Sequence, residues 1–438
     1  MRIKKVSSLE ILDSRGVPTL KTTVELEDGT KGSASVPSGA SIGVHEALEL
    51  RDHDHNRYDG TGVLMAKHNV DSVINDLLQN HDIFNQEGID NEMIKEDGTK
   101  NKSKLGANAI LSVSLAVAKT AATARHLELY EYLAHFFGTT EIVLPVPMVN
   151  VINGGKHAEQ SSDFQEYMLL PYGFSKFSEA LRATAEVFHT MKKKLSKKDL
   201  PTGVGDEGGF TYRGFTMKVE ANGEPLQFLV DAITEAGYVP GTEIGLGIDV
   251  AASSFFEKDV YNLTRDKKKF TRSELLTYYQ DLKIQYPLCY VEDAFAEDDW
   301  QGFVDMQKQM GEKVQTVGDD LYVTNVERLK QGIALRATNA ILIKVNQIGT
   351  LTETVETIKI AQNAALHTII SHRSGETEDT FIADLSVAAH AGQIKTGSMS
   401  RSERLAKYNR LLEIEAREKE LHPDNLFYYE FPYKTNGV

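Results

Sequence analysis

Ionisable residues end six short apolar runs in the second half of the chain. The runs cover residues 244–250, 288–291, 314–317, 340–345, 368–370 and 393–394, and the residues at or just beyond their ends are Asp249, Glu292, Asp319, Lys344, His372 and Lys395. Helical patterns separate the runs, which is typical of β/α units with a parallel sheet. If that sheet closes into a barrel, the carboxyl ends of its strands share one mouth. We therefore expect acids and bases from distant parts of the sequence to meet in one pocket.

Three of these residues, Asp249, Glu292 and Asp319, are carboxylates and together form an oxygen-only set of ligands. Such a set suits Mg²⁺ and does not suit zinc, which prefers nitrogen or sulfur. The sequence therefore predicts a site for a divalent cation. The alternative is that the carboxylates form buried ion pairs with Lys344 and Lys395, although the acids outnumber those lysines.

Lys344 is a candidate general base. It lies inside the apolar run 341–345, where an unpaired ammonium group would be costly. Positive charge from metal ions and Lys395, together with burial, would favour its neutral form and let it remove a proton next to a carboxylate. Glu207, in the glycine-rich run 204–210, is a candidate acid for the departing hydroxide, because crowded carboxylates raise one another's pKa. Taken alone, that run would be interpreted as an acidic turn.

Arg373 and Ser374 directly follow a predicted strand and offer a forked cation and a hydroxyl group. This combination suits a phosphate group. The alternative is an ion pair between Arg373 and the nearby Glu376. The sequence therefore predicts either a phosphate site or a local ion pair at this strand end.

Two glycine-rich stretches, residues 37–43 and 152–157, are of the kind found in lids that close over a substrate. The first contains Ser41, whose hydroxyl or backbone oxygen could bind a metal ion. The second contains His157, which could form a hydrogen bond with a substrate. Either stretch could equally be an ordinary turn.

The elements that must position these residues fall into two regions. Residues 3–36 are rich in β-branched side chains with partial alternation and predict an antiparallel meander, while the proline-free pattern 106–137 predicts helix. The prolines within 144–147 break that pattern, and we predict domains of residues 1–138 and 139–438. Capping boxes predict helix starts in the second region at Thr271/Glu274, Thr324/Glu327, Thr350/Glu353 and Ser400/Glu403.

Composition limits the classes of function. A chain of 438 residues has room for a small domain beside a barrel of about 250 residues. The net charge of −15 argues against general affinity for nucleic acid or anionic membranes. The lone Cys289 fits a reducing compartment, so we expect a cytoplasmic protein. No cleavable signal is visible and no run approaches the length of about 18 apolar residues that spans a bilayer, so no membrane span is expected.

Over nearly its whole length the chain resembles the enolase family. The motifs that carry the resemblance occur in family order and are DSRG at 13–16, SGAS at 38–41, NKSKLGAN at 101–108, GDEGG at 205–209, EDDW at 297–300, IKVNQIGT at 343–350, SHRSGET at 371–377 and IKTG at 394–397. The resemblance implies an α/β protein with a smaller α+β N-terminal domain and a TIM-like barrel whose first units run ββαα. It also implies a carbon–oxygen hydro-lyase that interconverts 2-phosphoglycerate and phosphoenolpyruvate.

The resemblance carries roles onto matching positions. It implies that two Mg²⁺ ions are used, the first held by Asp249, Glu292 and Asp319, and the second, which arrives with the substrate, joined by Ser41. It makes Lys344 the base and Glu207 the acid, with Glu166 beside the acid. The residues that it implies as substrate contacts are His157, Gln165, Glu166, Lys344, His372, Arg373, Ser374 and Lys395.

Val17 and Ile42 differ from the residues that the family pattern has at these positions, and the differences concern the dynamics of the loops that contain them.

One rival interpretation is another member of the wider superfamily, such as a racemase or sugar-acid dehydratase. A second is a binding role at the cell surface or in an RNA-processing assembly, which we expect only in addition to catalysis. The resemblance implies a homodimer or an octamer of four dimers.

Overall fold

The computed structural model describes residues 1–39, 45–158, 161–211 and 221–435. It begins with the antiparallel sheet β1-β2-β3, which confirms the predicted meander and consists of β1 Ile3–Leu12, β2 Pro18–Leu26 and β3 Lys31–Ser35. Along β2, Leu20 and Val24 are buried, whereas Lys21 between them is exposed. This period of two puts one face of the sheet against the core.

Helices cover the buried face of this sheet. They are α1 Leu64–Asn69, α2 Asn75–Leu78, α3 Gln86–Asp97, α4 Ala107–Ala124 and α5 Leu129–Phe137, with a π-helical turn Val70–Ile74 between the first two. The prediction of one helical stretch over 106–137 was wrong in one respect, because the chain breaks between α4 and α5. Glu128 caps α5 by a capping box with Glu131, and these polar contacts start a new helix.

Helix α4, Ala107–Ala124, is long and apolar enough by length and composition to cross a membrane. However, 83% of that stretch is buried inside the protein, where it packs on β2 and β3. Burial of this kind is also a property of core helices. The expectation that the chain has no membrane span stays a prediction.

The rest of the chain forms a β/α barrel. Its strands and those of two smaller sheets are β4 Ile142–Leu144, β5 Val146–Asn153, β6 Glu166–Leu170, β7 Gly245–Asp249, β8 Phe256–Glu257, β9 Val260–Leu263, β10 Lys268–Phe270, β11 Leu288–Glu292, β12 Gln315–Gly318, β13 Ala340–Ile343, β14 His367–Ser371, β15 Gly392–Lys395 and β16 Leu426–Tyr428. The closed barrel has the order β11-β12-β13-β14-β15-β5-β6-β7. The barrel helices are α6 Phe177–Lys197, α7 Glu224–Glu235, α8 Arg272–Gln285, α9 Trp300–Met310, α10 Val326–Leu335, α11 Val345–Ile348, α12 Leu351–Asn363, α13 Phe381–Ala388 and α14 Ser402–Leu421.

The barrel begins β5-β6-α6-α7-β7, which confirms the expected ββαα start. Strand β6 is antiparallel to both of its neighbours, and the other barrel pairs are parallel. All six predicted strands occur within one to two residues of their predicted ends. Strand β5 was missed, because the prolines near its start were interpreted as a junction, and the short β6 was missed as well. The predicted domain boundary at residue 138 lies in the link between α5 and β4.

Two of the four predicted capping residues cap their helices, namely Thr271 of α8 and Thr350 of α12. The other two predictions were wrong by one residue, because Asn325 caps α10 and Arg401 takes the N-cap position of α14. The displaced hydroxyl groups have other partners. Thr324 donates a hydrogen bond to Gln347 and accepts one from the backbone N–H of Lys344, while Ser400 donates to the carbonyl oxygen of Gly208.

Candidate active site

The carboxyl ends of the barrel strands bring the three predicted carboxylates into one cluster. Asp249 is the last residue of β7, Glu292 is the last residue of β11, and Asp319 directly follows β12. Asp249 and Asp319 line a pocket at the barrel mouth, while Glu292 is completely buried. Strand geometry explains the meeting, since these three strands are parallel neighbours whose ends point the same way.

Glu166 lies at the same mouth, although its strand runs in the opposite direction to its neighbours. It is the first residue of β6, and because β6 is antiparallel its beginning lies beside the ends of the neighbouring strands. Gln165, which precedes the strand, places its Nε2 atom 3.5 Å from Oδ2 of Asp249. Both residues line the pocket, so the structure brings these two expected substrate contacts to the carboxylate cluster.

Two lysines lie among the carboxylates. Lys395 ends β15, and its Nζ atom is 2.9 Å from Glu166, 3.2 Å from Asp249 and 2.9 Å from Glu292. Lys344 forms an ion pair with Asp319. The ion pairs considered as the alternative to a metal site are therefore present in the structure.

The two lysines do not balance the acids, because Asp293 and Asp320 lie in the same cluster. Burial followed by repulsion from Asp249 raises the pKa of Glu292 to about 8. Burial and the Asp319 charge raise the pKa of Asp320 to about 7. Carboxylates in this condition hold protons or require additional positive charge. The cluster therefore fits a bound cation.

In the described part of the chain, carboxylate oxygens of Asp293, Asp319 and Asp320 lie within 4.8 Å of one another, close enough to hold a metal ion together. The sequence prediction included only Asp319 of these three. Asp293 accepts hydrogen bonds from the backbone N–H groups of Asp319 and Asp320 and so fixes the turn that presents them. Both missed residues directly follow predicted site residues, and extending the strand-end rule by one position would have found them.

The carboxylates around Lys344 affect the pKa of its ammonium group. Burial, the largest effect, works to lower that pKa, but Asp319 and Asp320 together outweigh it and raise the pKa above the usual value. Burial works to raise the pKa of Asp319, and the Lys344 ammonium group reverses that shift. The ion pair with Asp319 therefore favours the charged form of Lys344, and the neutral base predicted from the sequence requires that the Asp319 carboxylate interact with another positive group instead.

Glu207 lies on a glycine-rich loop and lines the same pocket as these lysines. Its Oε2 atom accepts a hydrogen bond of 2.9 Å from Asn150 and is 3.6 Å from Nε2 of His372. Gly208 has φ +85°, and a Cβ atom there would lie 2.6 Å from the carbonyl oxygen of Ser400. The loop therefore requires glycine at this position in order to present Glu207 to the pocket.

Glu166 and Glu207 influence each other. Burial, followed by the charge of Glu207, raises the pKa of Glu166 well above its usual range, while Lys395 opposes the shift. Both side chains are at least nine-tenths buried and line the same pocket. A protonated carboxyl group in this pair can donate a proton to a leaving group.

Arg373 is buried at the edge of the pocket after β14. Its guanidinium group donates to Glu46 at 2.8 Å and to Asn346 at 3.1 Å. The predicted alternative partner was wrong, because Glu376 accepts from the backbone N–H of Arg373 and pairs with Lys407. Sequence reasoning missed Glu46, which lies more than 300 residues from Arg373 and has no local signal.

Ser374 lies beside Arg373 and lines the pocket together with His372 and Lys344. Ser41 lies outside the described residues, as does most of its glycine-rich stretch. His157 ends the short 3-10 turn Gly155–His157, and its side chain lies outside the described part of the chain. The predicted roles of Ser41 and His157 therefore stay predictions.

Comparison with known proteins agrees with this architecture. The family model described as "Enolase, N-terminal domain" matches residues 3–133, and the model described as "Enolase, C-terminal TIM barrel domain" matches residues 141–425. The chain is also 52% identical to a Helicobacter pylori strain J99 protein named enolase over 416 residues, which cover 95% of this chain and 96% of that relative. Both comparisons favour this family over the racemases and dehydratases of the wider superfamily.

Proposed function

The chain belongs to the enolase family, and on that premise we propose that two Mg²⁺ ions and the residues of the barrel mouth carry out its reaction. The enzyme is a hydro-lyase, phosphopyruvate hydratase, that dehydrates 2-phosphoglycerate to phosphoenolpyruvate in glycolysis. Members of the family depend on metal ions. The oxygen-only cluster at the mouth and its excess of acids support Mg²⁺ as the metal.

Asp249, Glu292 and Asp319 would hold the first ion, and Ser41 would join the second, which binds with the substrate. Bound divalent cations would stabilise the negative charge that develops on the substrate carboxylate. The cation would also draw the charge of Asp319 away from Lys344, which lets the amine lose its proton.

Lys344 removes the proton from the carbon next to the substrate carboxylate. Glu207, in its protonated form, then donates a proton to the departing hydroxyl group, so that water leaves, and Glu166 lies beside it. Lys395 supplies a further positive charge near the reacting carboxylate. The presence of Lys344 and Glu207 in one pocket, on different segments of the chain, supports a separate base and acid.

The remaining pocket residues orient the substrate. Arg373 and Ser374 offer donors to the phosphate group, and His372 and Gln165 line the same pocket and offer further contacts to the substrate. We place His157 among the substrate contacts as well. The observation that carries the proposal is that Asp249, Asp319, Lys344, Lys395 and Arg373 line one pocket, with Glu292 buried beneath it in contact with Lys395.

The test is an absorbance assay for phosphoenolpyruvate formed from 2-phosphoglycerate. We expect activity with Mg²⁺, none with excess chelator, and a loss of at least about 1,000-fold in kcat for Lys344→Ala. Lys330→Ala, which removes an exposed lysine on α10, is the matched control and should retain full activity. Equal turnover by Lys344→Ala and the control would remove Lys344 from the mechanism.

We also propose that the chain forms a homodimer or an octamer of four dimers. Leu9 and Leu12 on β1 are 59% and 53% exposed, and apolar side chains on an outer strand favour contact with a second copy. Sedimentation velocity should give the mass of two or eight chains. A single-chain mass at micromolar concentration would contradict the proposal.

We place the enzyme in the cytoplasm, with an additional cell-surface or secreted pool as a secondary location. The buried, unpaired Cys289 and the net charge of −15 support a reducing compartment and no general affinity for nucleic acid. Cell fractionation followed by immunodetection tests this assignment. Detection only in the extracellular fraction would overturn it.

A further inference from the structure

Arg404 is a completely buried arginine on α14 that contacts residues of the active site but does not itself line the pocket. Its Nη1 atom lies 2.6 Å from Nδ1 of His372 and 2.6 Å from the carbonyl oxygen of Arg373. Its Nη2 atom lies 2.6 Å from the carbonyl oxygen of Ser374 and 3.0 Å from that of Asp206. One guanidinium group therefore joins the segment 372–374 to the residue before Glu207.

A third segment reaches the same group. The hydroxyl of Ser14, from the N-terminal domain, is 3.4 Å from Nη2 of Arg404 and accepts the backbone N–H of Glu376 at 3.2 Å. Arg404 thus connects a loop of the first domain, the strand end that carries His372 and the loop that carries Glu207. A planar cation with donors in a fixed fork is suited to hold several acceptors in one arrangement.

The contact with His372 also determines where the imidazole carries its proton. Arginine has donors only, so the Nδ1 atom 2.6 Å away must be the acceptor and carries no hydrogen. In the neutral ring the hydrogen then resides on Nε2. That atom is the one that faces Glu207, at 3.6 Å from Oε2.

A purely structural role explains the burial poorly. Among the residues that the structure describes, the one carboxylate paired with the group is that of Glu403, whose Oε1 atom is 3.3 Å from Nε, and the other partners are neutral oxygens and the imidazole. Burying a cation on such partners is expensive, and apolar side chains of similar volume would fill the space at lower cost. The stem is tightly enclosed, because a Cβ atom on Gly397 would lie 2.7 Å from Cδ of Arg404.

We propose that Arg404 is a positioning residue that holds His372 in the Nε2–H tautomer and locks the segment 372–374 to the Glu207 loop. The inference rests on the proposed function, because it requires that His372, Arg373 and Glu207 act on the substrate. Loss of Arg404 would let the imidazole exchange its proton between nitrogens and let the two loops separate. Displacement of this size is expected to lower kcat/KM about 100-fold.

The kinetic test compares three full-length variants with Mg²⁺ and 2-phosphoglycerate. Arg404→Met removes every donor and should lower kcat/KM about 100-fold. Arg404→Lys keeps the charge but not the fork and should lower it about 10-fold. Arg410→Met is the matched control, since it removes an arginine of the same helix whose partners Asp384, Glu128, Glu413 and Tyr130 all lie outside the active site. The control should lose thermal stability and keep wild-type kcat/KM.

A spectroscopic readout separates positioning from stability. In ¹⁵N-histidine-labelled enzyme, with the His372 signals assigned by their absence in His372→Gln, the ring should show an unprotonated Nδ1 and a protonated Nε2. Arg404→Lys should shift both signals toward an average of the tautomers, whereas Arg410→Met should leave them unchanged. Arg404→Lys carries the test if Arg404→Met does not fold.

Two results overturn the inference. One is wild-type kcat/KM in Arg404→Lys together with unchanged His372 signals, and the other is an Nδ1–H tautomer in the wild-type enzyme. Failure of the proposed function looks different, because His372→Gln and Lys344→Ala would then both retain full activity. If His372→Gln and Lys344→Ala lose activity while Arg404→Met keeps wild-type activity, the result contradicts only the role of Arg404.

Discussion

Glu166, the first residue of β6, lies directly opposite Asp249, the last residue of β7. The Lys395 ammonium group lies between them, 2.9 Å from Glu166 and 3.2 Å from Asp249. The pairing exists because β6 is the antiparallel strand of the barrel, so its beginning meets the ends of its neighbours. One cation thereby reaches carboxylates from strands of opposite direction.

Metal ions should stabilise the folded enzyme as well as activate it. Chelator-treated enzyme retains an excess of buried acids over Lys344 and Lys395, so Mg²⁺ at 100 times its Kd should add about 2.7 kcal/mol to the free energy of unfolding. Differential scanning calorimetry should show the corresponding rise in Tm. Asp319→Asn should reduce that rise, whereas Asp298→Asn, which alters an exposed acid, should not. Equal rises in the two variants would contradict a metal site at Asp319.

The Glu207 loop should not tolerate a side chain at Gly208. Gly208→Ala introduces a Cβ atom 2.6 Å from the carbonyl oxygen of Ser400 at φ +85°, so the loop must move and kcat/KM should fall at least 10-fold. Gly237→Ala is the matched control, because Gly237 has φ +92° with no atom near the new Cβ. Both variants should lose about 1 to 2 kcal/mol of stability, because the left-handed conformation is strained for an L residue with a Cβ atom. Similar kinetics in the two would mean that strain alone governs the effect.

Arg373→Lys should weaken substrate binding. The guanidinium group donates to Glu46 and Asn346 and has further donors for a phosphate, whereas a lysine ammonium group cannot serve all of these in fixed directions. We expect KM for 2-phosphoglycerate to rise 10- to 100-fold, or about 1.4 to 2.8 kcal/mol. Arg336→Lys, at the C-terminal end of α10, is the control. An unchanged KM in Arg373→Lys would remove Arg373 from the phosphate site.

His372 should make stability depend on pH. Burial lowers the pKa of His372 well below its usual value of 6.5, with Glu207 opposing the shift. The unfolded chain then binds this proton more readily than the folded protein. The contribution of the neutral His372 ring to the free energy of unfolding is therefore complete above about pH 6.5 and is lost as pH falls toward the folded pKa.

The free energy of unfolding of the wild-type protein should therefore fall relative to that of His372→Gln by up to about 1.4 kcal/mol per pH unit below pH 6.5. Urea unfolding at pH 8, 6.5 and 5.5 measures the difference. His55→Gln, which changes an exposed histidine, should run nearly parallel to the wild type. If the free energies of unfolding of His372→Gln and the wild type depend on pH in the same way, the His372 ring has the same pKa in the folded and unfolded states.

Much of the site could be predicted from local sequence. Asp249, Glu292 and Lys344 each lie at or next to the end of an apolar run, and the ends of parallel strands converge in a barrel whatever the helices between them contain. The same rule could not find Glu46 or Arg404. Their partners lie in other segments, and nothing in the adjacent residues marks them.

The sequence by itself determined the strand and helix periods, the ionisable residues at strand ends and the membership of the family, because these depend on neighbouring residues and short motifs. Tertiary structure alone decided that β6 runs antiparallel, which brings Glu166 to Asp249. It also decided that Asp319 holds Lys344 charged and that Arg404 meets His372. The physical reason is that burial and charge act over a few ångströms in space, whatever the distance along the chain.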